Sequence, residues 1–89
     1  MERIIGKNIL KSREMSGLTR KFLAEKAGIS IQGLLKIERG LTAPNADTLM
    51  KIMDILALTP NQLFGLEEIS AENSGYISTI KRLRAEGKL

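Results

Sequence analysis

The chain is predicted to be all-α, a compact five-helix bundle followed by a short C-terminal amphipathic helix. Three observations predict it. Apolar residues recur at spacings of three and four through most of the 89 positions, the period of a helix with one buried face. Ser, Thr or Asn stands just before four of these runs, at Thr19, Ser30, Asn45 and Thr59, where a side-chain oxygen can cap a helix. Strict alternation of apolar and polar residues, the strand signature, is almost absent.

Each element follows from its own residues. The first helix is predicted over about Arg3 to Met15, with Ile5, Ile9 and Arg13 on one stripe at spacing four, and Ser16-Gly17 ends it. Thr19 caps a second helix, about Arg20 to Ala27, which buries Leu23, Ala24 and Ala27. Ser30 caps a third, about Ile31 to Arg39, with Gly40 past its end. After the loop LTAP, Asn45 caps a fourth, about Ala46 to Leu56, whose Leu49, Ile52, Met53 and Leu56 face inward. Thr59-Pro60-Asn61-Gln62 reads as a capping box with proline at the first helical position, starting a short fifth helix that carries Leu63 and Phe64. Loops of two to six residues then imply close packing.

Residues 1–65 therefore form the main domain. Residues 66–75, with Glu67-Glu68 and the run SAENSG, read as a linker. Over 76–87, Tyr76, Ile77, Ile80, Leu83 and Arg84 fall at helical spacing. A helix of that length is marginal alone; it folds back on the bundle, pairs with a second subunit or frays. A dimer is expected, because Ile77, Ile80 and Leu83 exceed the needs of a small core.

Composition excludes several classes of function. The hydrophobic share of 43% argues against wholesale disorder. No run of eighteen apolar residues marks a membrane span, and no charged-then-apolar start reads as a signal peptide. The lack of cysteine rules out disulfides and fits a cytoplasmic address. The lack of histidine removes the commonest general base and the commonest metal ligand. Asp47, Asp54, Glu67, Glu68 and Glu72 show no metal or acid–base spacing. An enzyme is disfavoured, and no cofactor, metal or small-molecule ligand is expected.

Charge is uneven. Residues 1–45 carry nine Lys/Arg against four Glu, whereas residues 46–89 carry five against six acids. A basic half beside a near-neutral half suggests a face for a polyanion. That half contains the window Arg20 to Arg39, RKFLAEKAGISIQGLLKIER. Small Ala24 lets two helices cross closely, Gly28 can turn the chain with positive φ, and Leu34 and Ile37 pin the second of the two helices to the core. The other face of that helix stays free, as insertion into a DNA major groove requires.

The segments IGKNILKSRE, SGLTRKFLAEKAGIS, LLKIERG, PNADTLMKIMDILAL and TPNQLFG carry a resemblance. From Gly6 to Gly65, about two-thirds of the chain, the sequence resembles the DNA-binding domain of the Cro/phage-repressor family, the xenobiotic-response-element-type helix-turn-helix regulators. LAEKAGIS followed by IERG is the specific part of that signal. The resemblance implies a lambda-repressor-like five-helix domain that binds operator DNA, double-stranded and sequence-specific, as a homodimer. It also places Arg13 where the family carries an arginine and Glu38 where it carries the acidic partner. A buried arginine needs such a partner, so a structural ion pair between Arg13 and Glu38 is expected.

Docking geometry then assigns contacts along the third helix. Ile31, Gln32, Gly33, Leu35 and Lys36 are the expected base contacts. Gln32 can pair with adenine N6 and N7, Lys36 can reach guanine, and Ile31 and Leu35 can meet thymine methyls. Arg20, Lys21, Ser30, Arg39, Thr42 and Asn45 are the expected phosphate contacts, Lys21 being a weaker one, as is Lys7. The family usually carries glutamine at the position of Arg20; arginine retains phosphate binding. Gly33 costs a helix about 1 kcal/mol against alanine. Either its missing side chain permits close approach to DNA, or it makes no contact. Because Ile31, Gly33 and Leu35 make this face unusually apolar, the alternative function is a protein-interaction module on the same fold (an antitoxin, antirepressor or regulatory subunit) without specific DNA binding.

Overall fold

The computed structural model describes residues 1–70 together with Arg84, Glu86 and Gly87. The helix expected over 76–87 lies outside the described residues except at those three positions. Among the described residues five helices follow in order: α1 (Glu2–Met15), α2 (Arg20–Ala27), α3 (Ile31–Glu38), α4 (Ala46–Leu56) and α5 (Pro60–Leu63). Among the described residues there is no strand. α1 packs on α3, α4 and α5, while α2 packs on α3 and α4.

The capping chemistry read from the sequence sets the starts. The side-chain oxygens of Thr19, Ser30, Asn45 and Thr59 accept the backbone N–H groups of Phe22, Gly33, Thr48 and Gln62. Each satisfies a donor that the first helical turn leaves unpaired. The Gln62 side chain returns the bond to the Thr59 N–H at 3.0 Å, closing the capping box. α3 stops at Glu38, one residue short of the expected end. Arg39 is its C-cap, and Gly40, at φ 73°, turns the chain so that the Gly40 and Leu41 N–H groups close back on the Ile37 and Lys36 carbonyls.

Ile5, Ile9, Leu23, Ala24, Leu34, Ile37, Ile52, Leu56, Leu58 and Leu63 are buried in one core. Each of the larger aliphatic side chains removed from water contributes about 1.5–3 kcal/mol before chain entropy is counted. Of the inward face expected for α4, Ile52 and Leu56 are fully buried while Leu49 and Met53 pack at its edge. Phe64 instead stands at the α5 C-cap, 39% exposed. Ile69, within the stretch read as a linker, is 3% exposed and belongs to the same core.

The approach of α1 to α3 is unusually close. A Cβ on Gly6 would collide with the Ile37 carbonyl oxygen and come within 3.0 Å of the Glu38 oxygen. Only glycine admits the backbone of α3 at that distance. α1 thereby braces the C-terminal end of α3 and leaves its opposite face to solvent. The side chain of Asn8 ties α5 to the same helix by donating to the Leu63 carbonyl at 3.0 Å.

Candidate nucleic-acid interface

α2 and α3 are joined by three residues, and each does a separate job. Gly28 sits in the left-handed region (φ 73°, ψ 29°) and closes α2 through its N–H. Ile29, half-buried at the edge of the core, returns its N–H to the Ala24 carbonyl at 3.0 Å. Ser30 then caps α3. The buried Leu23, Ala24 and Ala27 of α2 and Leu34 and Ile37 of α3 hold the two helices together. The result is a helix fixed along one side and open along the other.

On the open side Gln32 and Lys36 are exposed, one turn apart, and Ile31 is 45% exposed. Gly33 and Leu35 are half-buried. The face thus offers an amide that both donates and accepts, a cation and a branched apolar side chain within one and a half turns. Gly33 also has a local role. A Cβ there would lie 3.1 Å from the Ser30 Oγ that accepts the Gly33 N–H. Alanine would gain helix propensity but crowd its own cap.

The residues expected at the DNA backbone lie on α2, at the caps of α3 and α4 and in the turn between those two helices. Lys21, Ser30, Arg39, Thr42 and Asn45 are exposed, the last three along the turn from α3 into α4. Ser30 and Asn45 are both N-caps. Their acceptor oxygens are engaged, while the Ser30 hydroxyl proton and the Asn45 amide N–H groups are the donors each type still has for another partner. Lys7, on α1, is exposed as well.

Arg13 and Glu38 meet in the interior. Arg13 Nε donates to Glu38 Oε2 at 2.6 Å, its Nη2 to Oε1 at 3.3 Å and its Nη1 to the Leu18 carbonyl at 2.9 Å. Their side chains are 9% and 1% exposed. A charge this far from water survives only with such a planar match. Sequence reasoning missed the third member. Arg20 Nε donates to the same Glu38 Oε1 at 2.8 Å, linking the first residue of α2 to the last of α3. The signal available was an arginine at the start of one helix and a lone acid at the end of the next, a non-local pairing without periodicity.

Comparison with known proteins decides the family. The helix-turn-helix family model of the Cro/C1 type matches residues 9–63, which contain α2, the Gly28 turn and α3. The chain belongs to this helix-turn-helix family. Among curated proteins it is 33% identical over 69 residues to the HTH-type transcriptional regulator ImmR of Bacillus subtilis strain 168, covering 78% of this chain and 54% of that protein. It is 37% identical over 59 residues to the uncharacterized HTH-type transcriptional regulator Rv0474 of Mycobacterium tuberculosis, covering 66% of this chain and 42% of that protein. The chain thus spans about half the length of the curated relatives it matches. No solved structure matches it significantly.

Among the described residues no group of His, Cys, Asp and Glu can hold a metal ion. No described helix is long and apolar enough to cross a membrane.

Proposed function

We propose that this helix-turn-helix chain is a non-enzymatic, sequence-specific regulator of transcription that binds double-stranded DNA. α3 lies in the major groove, and two copies of the chain bind a palindromic operator. One observation carries the reading: the open face of α3 presents Gln32, Lys36 and Ile31 outward from a helix whose opposite side is clamped by Leu34, Ile37 and Glu38. Family membership and the transcriptional regulators among the relatives support it. In this arrangement Gln32 reads adenine, Lys36 reads guanine or a neighbouring phosphate, and Ile31 and Leu35 meet thymine methyls. Gly33 permits close approach of the α3 backbone. Arg20, Lys21, Ser30, Arg39, Thr42 and Asn45 hold the backbone of the duplex and set the register.

Two-fold symmetry lets a small reading surface gain specificity, because the same surface is used twice, once on each half-site. The apolar residues at 77, 80 and 83 support a second copy as the partner.

Direct readout by Gln32 is tested on duplexes selected from a random library. Gln32→Ala should relax preference at a single base pair of each half-site, at a cost of about 1–3 kcal/mol. Preference retained at every operator position would contradict direct readout by Gln32. Uniformly weak, sequence-indifferent binding by the parent chain would instead favour the interaction module.

A further inference from the structure

We propose that Glu38 is a positioning residue for Arg20, holding its guanidinium as a fixed donor to the DNA backbone; this rests on the DNA-binding reading above. Two arginines share one carboxylate. Arg13 is consumed: its Nε, Nη1 and Nη2 all donate inside the protein, and its side chain is 9% exposed. Arg20 differs. It reaches Glu38 through Nε, at 2.8 Å, and its side chain remains 34% exposed. One carboxylate balances one guanidinium, so this group of three carries a surplus positive charge. That surplus resides on the exposed member, Arg20.

The geometry of arginine makes the arrangement directional. The guanidinium is planar, so fixing Nε against a carboxylate that is 1% exposed also fixes the plane in which the terminal nitrogens lie. The carboxylate itself cannot move, because Arg13 holds both of its oxygens. Arg20 therefore meets a phosphate with its rotamer already restricted, and less entropy is lost on contact. Lysine has neither the plane nor a second nitrogen; it can serve Glu38 or a phosphate, but not both in a fixed relation. The same link makes the ion pair that braces α3 part of the backbone contact made from α2.

The test uses the full chain and a mixed-sequence duplex, with affinity measured between about 50 and 200 mM salt. Arg20→Ala should lower the log–log salt slope by about 0.9, the value of one phosphate contact. Arg20→Lys keeps the charge yet should bind about tenfold more weakly, the loss of one charge-assisted contact. Glu38→Asp shortens the carboxylate away from Arg20; it should weaken binding, and Arg20→Lys should add little on top of it. A merely structural role would lower the melting temperature and leave slope and coupling unchanged. Both Arg20 variants preserve the Arg13–Glu38 pair, so their readouts stand whether or not Glu38→Asp folds. An unchanged slope in Arg20→Ala, full affinity in Arg20→Lys, or independent effects of Arg20→Lys and Glu38→Asp would overturn the proposal. Absence of duplex binding by the parent chain would overturn the DNA reading itself.

Discussion

Ser12 is buried to 1% exposure on α1, and its Oγ has no hydrogen-bond partner among the described residues. An unpaired hydroxyl in that position costs about 1–3 kcal/mol, and alanine is also the better helix former. Ser12→Ala should therefore raise stability by about 1 kcal/mol, seen as a higher urea midpoint with an unchanged m-value. A lowered midpoint would show that the hydroxyl is satisfied. Its neighbour Arg13 has the opposite sign. Arg13→Ala leaves the Glu38 carboxylate buried with only the partly exposed Arg20 to balance it. The expected loss is about 3–5 kcal/mol, and a variant as stable as the parent would refute the structural role of the pair. The Arg13–Glu38 link was legible because the family resemblance implies an acid at Glu38 for the arginine at Arg13, and a buried arginine needs such a partner. The Arg20–Glu38 link was not: eighteen residues separate the two, and Arg20 on its own reads as a solvent-facing cation.

Capping chemistry made the helices the most legible elements. α2 and α4 run from Arg20 to Ala27 and from Ala46 to Leu56, the ranges expected from Thr19, Gly28, Asn45 and the apolar spacing. Where geometry depends on neighbours, the sequence says less. Ala57 ends α4 in the left-handed region at φ 52°, a position where glycine is the usual residue. Ile69 is in the core although it precedes a Ser/Asn/Gly-rich run, since composition is averaged over a window and burial is decided residue by residue. Gly6 stands in mid-helix, where glycine costs about 1 kcal/mol against alanine. The cost is offset by the contact it permits with the end of α3. Gly6→Ala consequently should destabilise the fold despite its better propensity, because its Cβ meets backbone oxygens that belong to a helix and cannot swing aside. Thermal unfolding checks this: the melting temperature should fall by several degrees, about 4–8 °C per kcal/mol for a domain this small. A rise would mean that α1 and α3 separate without cost.

At the scale of the whole molecule, the two sides of α3 divide the labour. One side of α3 is committed to the fold through Leu34, Ile37 and Glu38; the other, with Ile31, Gln32 and Lys36, is left open. Cations accumulate in the first half of the chain, which contains both α2 and α3. Under the proposed function, such a scaffold would bind any duplex weakly through phosphates and a chosen duplex tightly through base edges. The scaffold was readable from apolar spacing and caps, because burial imposes a period on the sequence. The open face was readable only as a set of residue types, since exposure imposes none. Selection of duplexes from a random library, followed by salt titration of the selected site, tests this account most directly. The account predicts a palindrome with half-sites about one helical turn apart and an affinity that falls steeply with salt, by about 0.9 log units per log unit of salt for each phosphate contact. Recovery of no common sequence, with weak binding indifferent to the duplex offered, would contradict it.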